Sequence, residues 1–252
     1  MKKNVLLLAF ALIFVPALCR AQNYIVPTTQ GTVLEYASFD NDGNVTDRII
    51  KTVEKVSRVQ QGTEVILRTD FLGNDGNPDG DIPPMRETVI IAGDKIVKLK
   101  EGTAEFLKEM VLKNAGGQVT EENMDKINFV IEGDDMVYPV SPKKGEKLKN
   151  ASVSMRMEFM NAKEKEKSIK IMTINSSGAI EGNERVTTQA GSFDCVKMTK
   201  TIKFKVMMGV ISETQRMISW YAPGVGEVMT QEVTKKGKVE STTKLISVKH
   251  PM

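Results

Sequence analysis

The side chains able to do acid–base or covalent chemistry are few in this chain. The single histidine, His250, sits beside Pro251 at the end of the sequence. A Ser-His-Asp or Cys-His site needs its base oriented by a third group on a rigid element. A terminal residue offers no such support. Serine, lysine and carboxylate residues are plentiful, yet no spacing marks any pair of them as nucleophile and base. The chain reads as non-catalytic.

The other reactive candidate is Cys195. By strand parity it shares a face with Lys197, and a nearby cation lowers a thiol pKa. With no second cysteine or histidine beside it, Cys195 reads instead as a small, semi-buried, inert side chain.

One loop has the look of a cation site. Asp75-Gly76-Asn77-Pro78-Asp79-Gly80-Asp81 repeats the first half of a calcium loop, with Asp75, Asn77, Asp79 and Asp81 as candidate ligands. The twelfth position, which should hold a bidentate acid, is Arg86, and Glu87 comes one residue late. Pro83-Pro84 blocks the usual exiting helix. The competing reading is an Asn/Asp/Gly-rich hairpin loop, like Asn41-Asp42-Gly43-Asn44. The loop raises calcium as a cofactor, and no cofactor is otherwise expected.

Methionine is abundant, with 15 in the chain. Met155, Met157, Phe159 and Met198 fall on inward strand positions, and Met207 and Met208 are close by. Three readings compete: core filling, a soft lining for an apolar ligand, and a copper(I) thioether site supported only by Met155-x-Met157. The candidate lining for an apolar ligand is Met155, Met157, Phe159 and Met198, with Phe106 from a helix and Trp220 at a rim.

These residues must be positioned by strands. The stretch Trp220-Tyr221-Ala222-Pro223-Gly224-Val225-Gly226 reads as a strand end, a tight reversal and a new strand, with φ > 0 expected at Gly224. From Phe193 to Val206, Val196, Met198, Ile202, Phe204 and Val206 share one face. Turns are expected at Asn41–Asn44, at Gly93-Asp94, at Ser176-Ser177-Gly178 and at Lys236–Lys238. One helix interrupts the strands. Thr103 is placed at its N-cap, Phe106, Leu107, Met110 and Val111 make its apolar stripe, and Gly116-Gly117 stops it. A shorter helical turn is suggested over Glu121 to Lys126, and Lys163 to Lys167 reads as a solvated hairpin tip.

Tyr138 to Gly145, with two prolines, is neither helix nor central strand and joins two halves, residues 22–138 and 139–252. Pro27, Gly31 and Leu34 echo Pro142, Gly145 and Leu148. The two halves are expected to continue as one mainly β domain. Its architecture is a large curved antiparallel sheet or half-barrel with one amphipathic helix.

The start of the chain reads as a secretory leader, residues 1–21: Lys2 and Lys3, an apolar run from Val5 to Leu18, and cleavage after Ala21. Cys19 raises a lipid anchor as an alternative, against which Leu18 argues, since such sites take a small residue there. The formal net charge of +3 is carried by Lys2, Lys3 and Arg20. The remainder is balanced, which gives no case for nucleic acid or for a polybasic membrane patch. No later stretch is long and apolar enough for a transmembrane segment. The expected location is periplasmic or secreted.

Four short motifs carry a family resemblance. They are Gly31 with Leu34 and Tyr36, Pro142-x-x-Gly145-x-x-Leu148, Gly191-Ser192-Phe193-Asp194-Cys195-x-Lys197, and Trp220-Tyr221-x-x-Gly224-Val225-Gly226-x-Val228. In these the chain resembles the TapB-like group of exported bacterial β proteins, similar to half-barrel periplasmic proteins that include lipoprotein carriers. The resemblance implies a fold and a compartment and no reaction. By analogy with such half-barrels, the helix after Thr103 would serve as lid or plug. The expected role is binding of an apolar or lipid-like small molecule. The alternative is an envelope protein that pairs with others through exposed strands.

Overall fold

Alternation of apolar and polar residues between Gly, Asn and Asp turns builds this chain almost wholly from strands. The structure, a computed structural model, describes residues 23–114, 127–159, 167–206 and 211–251. The leader, the turn at Glu121–Lys126, the charge run from Lys163 and the pair Met207-Met208 lie outside the described residues. So do the side chains of Val111 and Phe159.

Strand β1 (Val33–Phe39) pairs with β2 (Val45–Val59), and β3 (Gly62–Gly73), β4 (Met85–Ala92) and β5 (Lys95–Lys98) follow as a meander. Helix α1 (Lys100–Asn114), β6 (Ile127–Gly133) and β7 (Met136–Pro139) come next. A second run comprises β8 (Ala151–Phe159), β9 (Lys167–Thr188), β10 (Gly191–Val206), β11 (Ile211–Ala222), β12 (Gly226–Val233) and β13 (Val239–Lys249). All thirteen form one antiparallel sheet in the order β6-β8-β9-β10-β11-β12-β13-β1-β2-β3-β4-β5-β7. The sheet is open and does not close into a barrel. Its two edge strands, β6 and β7, are consecutive in the chain and joined by Asp134 and Asp135, so the edges converge there.

Two clusters of buried residues make the core, and Leu34, Tyr36, Val186, Cys195, Trp220, Ala222, Val228 and Leu245 form the second. Val53, Val65, Leu67, Val89, Ile96, Tyr138, Ile180, Val196, Met198 and Tyr221 are buried together, and Tyr24, Ile25 and Val26 fill the space over them. The segment 23–27 is a strap lying on the sheet, and every residue in it is buried. Asn23 accepts from the Gly224 amide through its carbonyl at 2.8 Å, and the Tyr24 hydroxyl donates to the Pro139 carbonyl at 2.6 Å. The Ile25 carbonyl passes so close to Gly226 that a Cβ there would meet it at 2.8 Å.

The echo between the halves is real in the backbone. Gly31 N donates to Val53 O and Val53 N to Thr32 O, both at 2.9 Å; Gly145 N donates to Ile180 O and Ile180 N to Glu146 O, both at 2.8 Å. The two glycines have φ of 82° and 81°, a conformation in which a side chain is strained.

Three details differ from the sequence reading. Helix α1 starts at Lys100, ahead of Thr103, because its cap comes from elsewhere: Asp135 Oδ1 accepts from the Lys100 amide at 3.0 Å. Strand β9 runs through Ser176-Ser177-Gly178 without turning. At that point β9 exchanges one partner, β8, for residues 145–148, and a Cβ at Gly178 would meet the Thr199 carbonyl at 2.4 Å. Helix α1 does not fill the sheet centre, which the strap occupies. It packs on β4 and touches β6, with Phe106 beside Phe71 (ring centroids 5.7 Å apart) and Lys108 over Phe129. The turn at Gly224 does take φ > 0, at 73°.

Candidate functional site

Beneath the strap lies a cavity of about 70 Å³. Its lining includes Lys51 from β2, Glu87 from β4, Lys98 from β5, Lys200 from β10, Tyr221 from β11 and Glu227 from β12, all on the core face by cross-strand register. Tyr36, Tyr138, Ile25, Val26 and Pro27 complete the walls.

The charges are arranged in pairs. Lys51 Nζ stands 3.3 Å from Glu227 Oε2, and its ammonium lies 5.3 Å from the Tyr36 ring centroid. Lys98 is ion-paired with Glu87, whose side chain is only 7% exposed. Glu227 also accepts from the Thr230 hydroxyl, its backbone carbonyl accepts from the Tyr36 hydroxyl at 2.9 Å, and Thr230 shares a hydrogen bond with Ser219. Lys200 is placed differently. Its ammonium donates to the Tyr221 hydroxyl and lies 4.8 Å from the Tyr221 ring and 5.4 Å from the Tyr138 ring.

Burial opposes every charge here, and the neighbours outweigh it. Burial pulls Lys51 down, but Glu227 and Tyr36 raise it above the ordinary lysine value. Burial opposes the Lys200 charge in the same way, and Tyr138, Tyr221 and Glu227 raise it. Glu227 is held down at about 2, with burial overcome by Lys51 and Lys200. Glu87 is likewise lowered, against burial, by Lys98 and Lys51. Burial pushes Tyr221 up to about 12. These five groups hold fixed charge states around neutrality, so they can bind and orient a charged group, and none of them is poised to exchange a proton.

The residues singled out from sequence do not converge. Met198 is fully buried in the core with Tyr24 and Ile180, and Met155 is buried on β8. Met157 is half-buried farther along β8, and Phe159 ends that strand. Phe106 is on α1 against Phe71. Trp220 points to the other face of β11, where Nε1 donates to Glu184 Oε2 at 3.2 Å and Lys197 covers the ring at 5.1 Å. Cys195 is buried beside Trp220; burial, Asp194 and Glu184 push its thiol up to about 11.

In the acidic loop, Asp75 accepts from the Asn77 amide at 3.0 Å and from its side chain at 2.7 Å, and Asp79 accepts from the Asp81 amide at 2.9 Å. Among the described residues no three His, Cys, Asp or Glu side chains converge as metal ligands. No described helix is long and apolar enough to cross a membrane.

Sequence reasoning missed the ionic cluster and the strap. The cluster left one signal: Lys200 interrupts the inward row Val196, Met198, Ile202 and Phe204. The strap left another: Tyr24-x-Val26 stands before Gly31 as Tyr138-x-Val140 stands before Gly145.

A family model described as DUF3108-like matches residues 29–245. The TapB-like grouping suggested by the short motifs is not among the names matched. No curated protein matches the chain. Two solved structures are similar in fold. A Bacteroides fragilis protein, described as exported and YmcC-like in fold, is 18% identical, with 90% of this chain and 99% of that one covered at a TM-score of 0.62. A Parabacteroides distasonis protein, described as a lipoprotein, is 20% identical with the same coverage and TM-score.

Proposed function

We propose a function from the premise that the chain belongs to the DUF3108-like family. The reading the geometry supports best is an exported, non-catalytic envelope protein that takes a partner chain onto its sheet. The observation that carries it is β6. This seven-residue strand, Ile127-Asn128-Phe129-Val130-Ile131-Glu132-Gly133, forms one edge of the sheet and pairs only with β8 among the described strands. It is rich in β-branched and aromatic residues, and such an edge is a template for an added strand. The opposite edge, β7, is four residues long and ends in Pro139, which suits a closed edge. Export is supported by the leader-like residues 1–21 and by the descriptions of the two similar folds.

The test is to place charge on the edge with Asn128→Lys and Val130→Lys. The paired variant should keep its far-UV spectrum and lose its place in the envelope complex, read as sedimentation of the detergent-extracted protein. A complex of unchanged size would end the reading.

A second reading, an apolar small-molecule carrier, is favoured by one observation. A void of about 40 Å³ beneath the start of α1 is lined by Met136, Ala151, Val153 and Ile174. A drug-sized ligand needs ~300 Å³ or more, so α1 would have to lift. Saturable binding of a fluorescent apolar probe, lost on Val153→Asp, would move the choice to this reading.

A further inference from the structure

We propose that the cavity under the strap is a binding site for a small monocarboxylate of acetate size, held by Lys200. The proposal stands apart from the docking role of β6. Three ammonium groups line the cavity, Lys51, Lys98 and Lys200, against two carboxylates, Glu87 and Glu227. Both carboxylates are engaged in ion pairs, Glu227 with Lys51 and Glu87 with Lys98. Lys200 is left as the cation with no ion-pair partner among the described residues: its contacts are the Tyr221 hydroxyl and two tyrosine rings.

Lys200 is half-buried, and Glu227, which attracts it, is already paired with Lys51, so the cost of desolvating its charge is only partly met. The tyrosine rings offset part of that cost, and Tyr221, pushed up to about 12, stays a neutral hydroxyl. One bound anion would bring the lining from three positive and two negative groups to balance. The size restricts the choice. The 70 Å³ cavity has room for a few waters or one small organic anion, well short of the ~300 Å³ a drug-sized ligand needs. The lining suits a carboxylate with a short apolar end, since Lys200 and the Tyr221 hydroxyl share it with Ile25, Val26, Leu67 and Val89. The strap contributes Ile25, Val26 and Pro27 to the walls, which leaves little room for the apolar end of an acid.

The probe is 13C-labelled acetate, followed by line broadening against full-length processed protein, with ionic strength fixed by gluconate. Saturable broadening is expected with the wild type. It should weaken at least tenfold in Lys200→Met and stay unchanged in Lys203→Met, whose side chain is exposed on the same strand. Butyrate should fail to compete. No saturable broadening in the wild type, or equal broadening in Lys200→Met, overturns the site. If Lys200→Met does not fold, Tyr221→Phe decides: weakened binding supports the site, and unchanged binding overturns it.

Discussion

Residues 24–34 and 138–148 both run Tyr-x-Val-x4-Gly-x2-Leu, and the backbone treats them alike. Each segment leads into one half of the sheet and lies against a turn of the other. Asn23 bonds Gly224 in the β11–β12 turn, and Val140 bonds Asp94 in the β4–β5 turn. The correspondence continues strand by strand: Val53 pairs with Leu67 as Ile180 pairs with Met198, then Leu67 with Glu87 as Met198 with Ser219, and Val89 with Lys98 as Tyr221 with Glu227. Matching positions nonetheless carry different chemistry. Thr69 stands where the other half has Lys200, Val89 where it has Tyr221, and Lys51 where it has Gly178. The difference teaches that the shared residues set register and wedge the halves together, while the ionic cluster is built from positions where the halves diverge.

The largest expected effect tests the wedges. Tyr24 and Tyr138 are 1% and 6% exposed. Alanine at either should cost about 3–5 kcal/mol, as for other large buried aromatics, and the two losses should agree within ~1 kcal/mol. A urea midpoint for Tyr24→Ala close to wild type would show that the strap is not a wedge like its counterpart.

Next in size is the acid response of the cluster, which has no counterpart in a purely apolar seam. Glu227 is held at about 2 in the fold against an ordinary 4.5. A depressed carboxyl adds stability above its unfolded pKa and loses it as pH falls through the folded value. Urea midpoints should therefore fall between pH 4.5 and 2. In Glu227→Gln that slope should flatten, with a lower plateau at neutral pH. A wild-type midpoint constant across the window would remove the ion pair with Lys51 from the account.

Smaller again are the paired turns. Gly31→Ala and Gly145→Ala should each cost about 1 kcal/mol or more through backbone strain. A methyl group on Gly145 would meet no atom of the described residues within 4 Å, so strain alone is read there. Tolerance of alanine at one turn and not the other would break the equivalence.

The smallest effect concerns Thr69, the counterpart of Lys200. Its hydroxyl is buried with no hydrogen-bond partner among the described residues. Thr69→Val should be neutral or stabilising by up to ~1 kcal/mol; a loss of that size instead would mean the hydroxyl is used.

Much of the sheet was legible because alternation and turn residues are local signals. The hairpins at Gly43, Gly93 and Gly237 fall where Asn, Asp and Gly placed them, and each of these glycines has positive φ. Ser176-Ser177-Gly178 misled because a change of strand partner also demands small residues. The start of α1 misled because its cap, Asp135, is distant in sequence. The cluster was hidden for another reason: Lys51, Lys98 and Glu227 sit in strands already rich in charge, and composition does not separate an inward lysine from a solvated one. Pro27 and Pro142 put the repeat one residue out of step; Tyr24 and Tyr138 give the spacing the backbone uses.

The strap also sets an order of events in time. Residues 23–27 are the first described part of the chain to be made and, in an exported protein, the first to cross. Their seat at Gly224 and Gly226 lies roughly 200 residues later, a separation that makes closure slow. Until β11 and β12 exist, the strap lacks its hydrogen-bonded seat at Gly224, and only the first-half part of the surface that buries Tyr24, Ile25 and Val26 is in place. Completion then comes in one late step, when residues 23–27 meet the β11–β12 turn.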